Sequence, residues 1–319
     1  MGVIHILHEN PEWLPPLCEA LEEQGLPYRE WMLDEGTVPF SDVPPEGVFY
    51  NRMSASSHTR GHRYAPELTL ATLHWLEQHG RRVVNDHRAL HLEVSKLAQY
   101  RALKAQGIRF PLTIAAVGRK ALLQAAASLA RIPFILKPNR GGKGLGVSLF
   151  HSIESMDEHV AQLSPDEQPI DGIWLVQEYV DSAEPFITRC EFIGQEFFYA
   201  VRVNTSEGFE LCPADACEIG EDTCPTAEAP NKFSILPRLE APELLRGYQA
   251  LMKSHGIDVA GFEFIRKPEG DLYTYDINTN TNYNAQAEKK ACLEQTAMQE
   301  LASFLGNELD LTHRPSKLL

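Results

Sequence analysis

Residues 259–284 read VAGFEFIRKPEGDLYTYDINTNTNYN, and this stretch decides the fold. Before Lys267-Pro268-Glu269-Gly270-Asp271, Phe262 and Phe264 alternate with Glu263 and Ile265. After it, Tyr273, Tyr275 and Ile277 alternate with Thr274, Asp276 and Asn278. Alternation on both sides of a Pro/Gly reversal predicts a β-hairpin. A turn centred between Glu269 and Gly270 sets Glu263 opposite Asp276. The strand period of two then puts Asn278 on that face and the aromatic stripes on the other. Facing carboxylates repel unless a cation lies with them. A hard divalent cation such as Mg²⁺ takes oxygen ligands and shares its shell with substrate phosphates, so Glu263, Asp276 and Asn278 are candidate metal ligands. The alternative is a solvated hairpin face carrying acids by chance.

Upstream of the hairpin, residues 187–193 and 196–203 form a second pair of strands joined at Gly194-Gln195, carrying Arg189 and Arg202. Arginines in a strongly acidic chain are natural partners for phosphate or carboxylate, or for plain ion pairs. Residues 173–176 predict a strand running into Gln177-Glu178-Tyr179-Val180, where exposed polar groups could meet an adenine edge. Residues 133–138, PFILKP, predict a buried strand ending in Lys137. Burying an unpaired ammonium is costly, and a phosphate partner would account for it. NRGGKGLG follows at 139–146 and leads into another strand. Its glycines let backbone amides approach phosphate oxygens, and Lys143 adds charge. A P-loop would need Ser or Thr after the lysine, and a dinucleotide fingerprint would need a helix next. The arrangement predicts a phosphate-covering flap.

The first 85 or so residues alternate strand and helix, which predicts a small open α/β sheet. Asn10-Pro11 reads as a helix start and Gly25 as its stop. The polar tract 51–63, NRMSASSHTRGHR, follows a strand end, where such sheets bind ligands. Arg52, His58, Arg60, His62 and Arg63 could clamp an anion there, or the tract is an exposed loop. One helix is predicted from Leu90 through Leu103, with Lys96 solvated inside it. Others are predicted at 119–130, 156–163, 242–255 and 289–305. Asn280, Asn282 and Asn284 are candidates to orient a substrate.

At 319 residues the chain can hold two or three packed units around a large core. A net charge of −15 argues against general nucleic-acid or membrane-surface binding. No apolar run reaches membrane length and the start lacks a basic leader, so a cytoplasmic location is expected. Cys212, Cys217 and Cys224 lack the paired C-x-x-C spacing of zinc knuckles and read as free thiols in a loop.

The order of these parts resembles the ATP-grasp superfamily, and within it the RimK-like carboxylate–amine (glutamate) ligases. The segments are VVNDHRALHLEVSKLAQYRALKAQGIRFPLT, FILKPNRGGKGLGVSLF, VQEYV and DIN, and the likeness covers about residues 80–305. It implies an ATP-grasp fold, α/β overall and α+β in the nucleotide lobes, preceded by a Rossmann-like domain over residues 1–88. The ATP-grasp domain would span 89–319, with a lid lobe near 115–178 and a metal-binding lobe near 179–310. Carried over by position, Lys96, Lys137, Gly142, Lys143 and Gly144 would meet the ATP phosphates. Gln177, Glu178, Tyr179 and Val180 would hold the adenine, and Glu184 would replace the usual ribose acid. Glu263, Asp276 and Asn278 would hold Mg²⁺ (or Mn²⁺), and Arg202 and Arg189 would stabilise the transferred phosphoryl group. Asp276 stands where the family usually has Glu, and the residues after Asn278 depart from its pattern. The implied activity joins a small carboxylate to an amine, without nucleic acid or membrane, and is compatible with a homo-oligomer. A kinase-like phosphotransferase and a non-enzymatic ATP-binding regulator are the alternatives.

Overall fold

The computed structural model describes residues 2–142, 144–205 and 233–312; Lys143, Cys212, Cys217 and Cys224 lie outside them. The chain opens with β1 (Val3–His8), α1 (Pro15–Glu23), β2 (Tyr28–Met32), β3 (Gly47–Asn51), α2 (Ala65–Gln78) and β4 (Arg82–Val84). The four strands form one parallel sheet in the order β2-β1-β3-β4. Every residue of β3 is buried and β1 is nearly so, as central strands of a parallel sheet covered on both faces require. Strand β2 escapes sequence reading because it is a half-exposed edge without clean alternation. Asn10 does cap a helix begun by Pro11, but that helix is a short 3-10 turn at Pro11–Trp13, and α1 starts afresh with Pro15.

Where one helix is expected from Leu90, the structure has two, α3 (His87–Glu93) and α4 (Lys96–Ala105). Ser95 adopts an extended conformation between them and its hydroxyl accepts the Ala98 N–H, so it caps a new helix. Lys96 therefore lies at a helix start, and its side chain is only 12 % exposed rather than solvated.

A second sheet follows, built from β5 (Thr113–Ala116), β6 (Phe134–Pro138), β7 (Ser148–Phe150) and β8 (Trp174–Glu178). Its order is β5-β8-β6-β7, antiparallel throughout, and α5 (Arg119–Leu129) and α6 (Ile153–Gln162) share its core. The glycine loop joins β6 to β7, as the sequence predicts.

The third sheet contains β9 (Phe186–Ile193), β10 (Glu196–Asn204), β11 (Phe233–Leu236), β12 (Val259–Arg266) and β13 (Leu272–Asn278), in the order β11-β10-β9-β12-β13. It is antiparallel, and α7 (Pro242–Ser254) packs its Tyr248, Leu251 and Met252 against Phe192, Phe262 and Phe264. In the hairpin β12–β13, Glu263 faces Asp276 and Gly261 faces Asn278, but Phe264 pairs with Thr274. Tyr275 is thus the extra residue of a β-bulge. A bulge turns its residue off the strand's alternation. Tyr275 leaves the aromatic face where the sequence pattern puts it, and its hydroxyl donates to Glu263 Oε2 at 2.7 Å.

The helix expected at 289–305 is also divided, into α8 (Ala285–Lys290) and α9 (Ala297–Thr312), with Cys292 at φ 52° in the break. This break sends α9 back across α1, β1 and β3. Leu301, Leu305 and Leu309 share one core with Ile4, Ile6 and Leu17, and with Ile187, Val201 and Val203 of the third sheet. Asn85, fully buried, ties the same parts: its amide donates to Val259 O and Thr279 O and accepts the Asp258 and Val259 N–H groups. No helix among the described residues is long and apolar enough to cross a membrane.

Candidate active site

The second and third sheets face each other across a cavity of about 240 Å³, closed on one side by Ser54, Ala55 and Ser56 of the first unit. Twelve of the residues expected at a nucleotide, metal or phosphoryl site line it, namely Lys96, Lys137, Gly142, Gly144, Gln177, Glu178, Tyr179, Val180, Arg189, Glu263, Asp276 and Asn278, and so do Asn280 and Asn282 of the segment after β13. They come from both sheets, α4 and the glycine loop, so the fold gathers what the sequence separates by up to 182 positions, from Lys96 to Asn278.

Strand β13 is a sheet edge, and α4 completes it. Gln99 donates to Ile277 O at 2.8 Å and accepts the Ile277 N–H at 3.1 Å, standing in for a neighbouring strand. Lys96 lies one helical turn earlier on the same face, which brings its Nζ to 2.6 Å from Asp276 Oδ1. Burial alone would lower the Lys96 pKa, but Asp276 beside it outweighs that and raises it.

Arg189 organises the opposite acid. Its Nε donates to Glu191 Oε1 at 2.6 Å, its Nη1 to Glu263 Oε1 at 3.2 Å and its Nη2 to Thr281 Oγ1. Thr281 donates in turn to Glu191 Oε2 at 2.9 Å. The guanidinium lies against β12 at Gly261, where a β-carbon would sit 2.5 Å from Arg189 Nε. Glycine there is a space requirement, not a turn residue. Burial opposes the charge of Arg189, yet Glu191 and Glu263 hold it charged. Burial pushes the Glu263 carboxyl up, with Arg189 pulling against it and Asp276 adding to it.

These groups fit a divalent cation. Two carboxylates and one amide carbonyl on a single wall form an all-oxygen donor set of the kind hard cations take. A cation would relieve the repulsion between Glu263 and Asp276 that Lys96 and Arg189 offset. Outside the cavity, a group at Glu77, Asp86 and His87 brings three ligand atoms together, but Asp86 caps α3 and pairs with Arg88 at 2.7 Å.

Lys137 lies next to last in β6, near the strand end as predicted, is 5 % exposed and forms no ion pair among the described residues. Its ammonium lies 5.7 Å from the Tyr100 ring centre and 6.0 Å from that of Tyr275. Burial, and then the Lys96 charge, push its pKa down to about 7. This is a cation in want of an anion.

The Gln177-Glu178 pair differs from its expected exposed state. Gln177 is 2 % exposed and its amide donates to Tyr100 OH at 2.8 Å and Thr113 Oγ1 at 2.7 Å. Glu178 accepts the Leu112 N–H at 2.8 Å. Both side chains brace the strand end, because a strand leaving one lobe for another still has buried neighbours on each side. Tyr179 and Val180 continue along the cavity wall.

Arg202 and Glu184 are not brought into this cavity. Val201 is the residue paired with Arg189, so the period of two puts Arg202, paired with Thr188, on the other face of the sheet. There its guanidinium stacks on Phe186 at 4.3 Å. Glu184 is exposed and lies with Arg202 beside a separate small pocket. In the tract 51–63, Arg60 pairs with Glu9, as does His62 at 2.9 Å, while Arg63 lies over Tyr64. Arg52 is 2 % exposed and bonded to protein oxygens. The serines, rather than the basic residues, reach the cavity.

Sequence reasoning missed Glu191, Glu93 and Thr281. Glu93 accepts the Ala55 N–H at 3.3 Å and both the N–H and hydroxyl of Thr279, joining the first unit to the segment after β13. Glu191 carried a readable signal: it alternates with Arg189 on one face of a strand that is apolar but for these two and Thr188.

No family model matches the chain. A probable α-L-glutamate ligase of Xanthomonas oryzae pv. oryzae is 28 % identical over 202 residues, 63 % of this chain and 62 % of that protein. The chain thus matches under two thirds of that relative's length. A RimK domain ATP-grasp protein from Sphaerobacter thermophilus superposes over 95 % of this chain and 99 % of its own, at a TM-score of 0.62 and 16 % identity. The ATP-grasp ligase PsnB, solved with a minimal precursor, Mg and ADP, does so over 96 % and 97 %, at a TM-score of 0.62 and 14 % identity. Three sheets in this arrangement give the chain the ATP-grasp fold of those structures, and over 202 residues its sequence is similar to that of the probable α-L-glutamate ligase.

Proposed function

We propose that this protein is an ATP-dependent carboxylate–amine ligase. One observation carries the reading: Glu263, Asp276 and Asn278 share a cavity with Lys96 and Lys137, which has no ion-pair partner among the described residues, beneath a glycine loop. Glu263, Asp276 and Asn278 would hold Mg²⁺, with Mn²⁺ able to replace it in the same oxygen set. That cation, when bound, neutralises the terminal phosphates of ATP. Lys137 and Lys96 contact those phosphates, and backbone amides of Gly142 and Gly144 cover them. The strand end at Gln177, Glu178, Tyr179 and Val180 flanks the adenine, chiefly through its backbone, since the Gln177 amide and one Glu178 oxygen are already bonded.

A substrate carboxylate oxygen attacks the γ-phosphorus, the bond to the bridging oxygen breaks, and ADP leaves. The acyl-phosphate carbonyl then takes an amine, and phosphate leaves. Catalysis is positioning and charge stabilisation, with no side-chain nucleophile. Arg189 holds Glu263 in place, whereas Arg202 is left outside the machinery. Residues 1–88 and 89–319 serve as the pre-ATP-grasp and ATP-grasp parts, acting in the cytoplasm on small carboxylates and amines.

The test is product analysis with Mg-ATP and a panel of acid–amine pairs. ADP and phosphate appearing only with a matched pair is the expected result. AMP would overturn the mechanism, and ADP with one acceptor alone would turn the reading to a phosphotransferase. Asp276→Asn is expected to cost about 10²–10³ in turnover with the circular dichroism spectrum unchanged. Near-normal activity in that variant removes the metal assignment.

A further inference from the structure

Arg52 is a buried cation without an anion. Its Nη1 donates to Trp13 O at 3.0 Å, its Nε to Asn280 Oδ1 at 3.2 Å, and its Nη2 to Thr281 O at 3.4 Å and to Asn282 Oδ1. Every acceptor is a neutral oxygen, and no carboxylate pairs with it among the described residues. Its neighbours differ: Lys96 meets Asp276, Arg189 meets Glu191 and Glu263, and Arg60 meets Glu9. A guanidinium desolvated without a counter-charge is costly, and the cost is relieved when an anion arrives.

The geometry also says where that anion sits. A guanidinium only donates, so the carbonyls of Asn280 and Asn282 must face Arg52. Asn280 returns its own Nδ2 to Arg52 O at 2.8 Å, so both ends of that amide are occupied. Asn282 bonds Arg52 through Oδ1 alone, which leaves its Nδ2 turned from Arg52, and Asn282 lines the cavity together with Trp13 and Asn280. Polarisation of the amide by the buried charge strengthens that donor.

We propose that Asn282 and Arg52 form a subsite for a substrate carboxylate that takes no part in bond formation. Asn282 Nδ2 donates to the carboxylate, and Arg52 is the positioning residue that fixes the amide and supplies the positive potential. The substrate class is therefore an α-amino acid or a dicarboxylic acid, not a simple monoacid or alkylamine. This inference takes from the ligase reading only that the cavity receives the substrates.

The experiment is calorimetric titration of the full chain, with and without Mg-AMPPNP. Its probes are the common L-amino acids, succinate, glutarate and adipate, each compared with its amide or monoamide. At least one acid is expected to bind at least about tenfold more tightly than its amide. Asn282→Asp is isosteric, gives Arg52 a counter-ion and keeps the fold, so a merely structural Asn282 would tolerate it. Here the variant is expected to lose the acid-over-amide preference while binding Mg-AMPPNP as before. Asn282→Ala, which removes the donor alone, reads the same loss should Asn282→Asp unfold. No acid bound more tightly than its amide, or a preference that survives both variants, overturns the subsite. Acid binding that shows the preference without any nucleotide binding would keep the subsite and remove the ligase reading.

Discussion

Lys137 is the residue whose chemistry is most out of balance with its surroundings. Burial and Lys96 push its pKa down to about 7, well below the ordinary lysine value, so between those two limits the unfolded chain binds more protons than the folded one. Stability then rises as pH increases through that window and is lowest below about pH 7, where both states carry the charge. Lys137→Met removes the conflict, and its thermal stability near pH 6 is expected to exceed that of the parent by about 1–4 kcal/mol. The difference should shrink as the pH approaches 9, and equal shifts at both pH values would contradict the assignment. Phosphate oxygens reverse the imbalance. Mg-ATP binding near pH 8 should therefore take up protons, read by calorimetry in buffers of different ionisation enthalpy, and Lys137→Met should abolish the uptake. Lys137 was legible in the sequence because an ammonium ending an apolar strand is chemically odd. Arg202 and Arg189 look equivalent there, and only the strand pairing, which sets parity, separates them.

Elements show where pattern reading stops. The hairpin was readable as a pair of alternating strands, but the facing of Glu263 and Asp276 has another cause than the turn centre expected between Glu269 and Gly270: the pairs from Arg266–Leu272 to Phe264–Thr274 centre the turn on Glu269, and the bulge at Tyr275 then sets Glu263 opposite Asp276. The bulge at Tyr275 was not readable, because one extra residue leaves the apolar count unchanged while rotating a side chain from one face to the other. Helix breaks at Ser95 and Cys292 were hidden for a related reason: apolar spacing continues across them, and the new cap or turn outweighs it locally. Gly261 tests whether the strand itself positions the arginine. Its φ is ordinary, but a methyl group there meets the guanidinium of Arg189. Gly261→Ala is expected to destabilise the protein by about 1–3 kcal/mol through overpacking. Turnover should fall further than stability explains, since Arg189 must leave Glu263 to make room. Chemical denaturation beside kcat and KM checks this; an alanine variant with parent stability and activity would mean that Arg189 is free to move.

At the scale of the whole molecule, the first parallel sheet shares its core with α9 and the third sheet. The sequence suggests a separate N-terminal unit because strand–helix alternation is local and visible. What covers that sheet is α9, more than 200 positions away, and no local pattern announces it. Ile4, Ile6, Leu17 and Leu21 lie in one core with Leu301 and Leu305, and that core continues into Val201 and Val203 of the third sheet. Arg82 adds ion pairs to Asp258, at 2.9 Å, and to Glu308. A chain comprising residues 1–88 would expose these apolar side chains at roughly 25 cal/mol per Å², which a domain of marginal stability does not tolerate. That fragment is expected to show no cooperative urea transition, while the full chain unfolds in a single one. A sigmoidal transition in the isolated fragment would mean that the first sheet folds alone and that α9 merely docks on it. A single transition would carry a functional consequence, because the cavity takes Ser54, Ala55 and Ser56 from the first unit and its acid wall from the third sheet. Loosening α9 should then lower affinity for substrates as well as stability, although no residue of α9 lines the cavity.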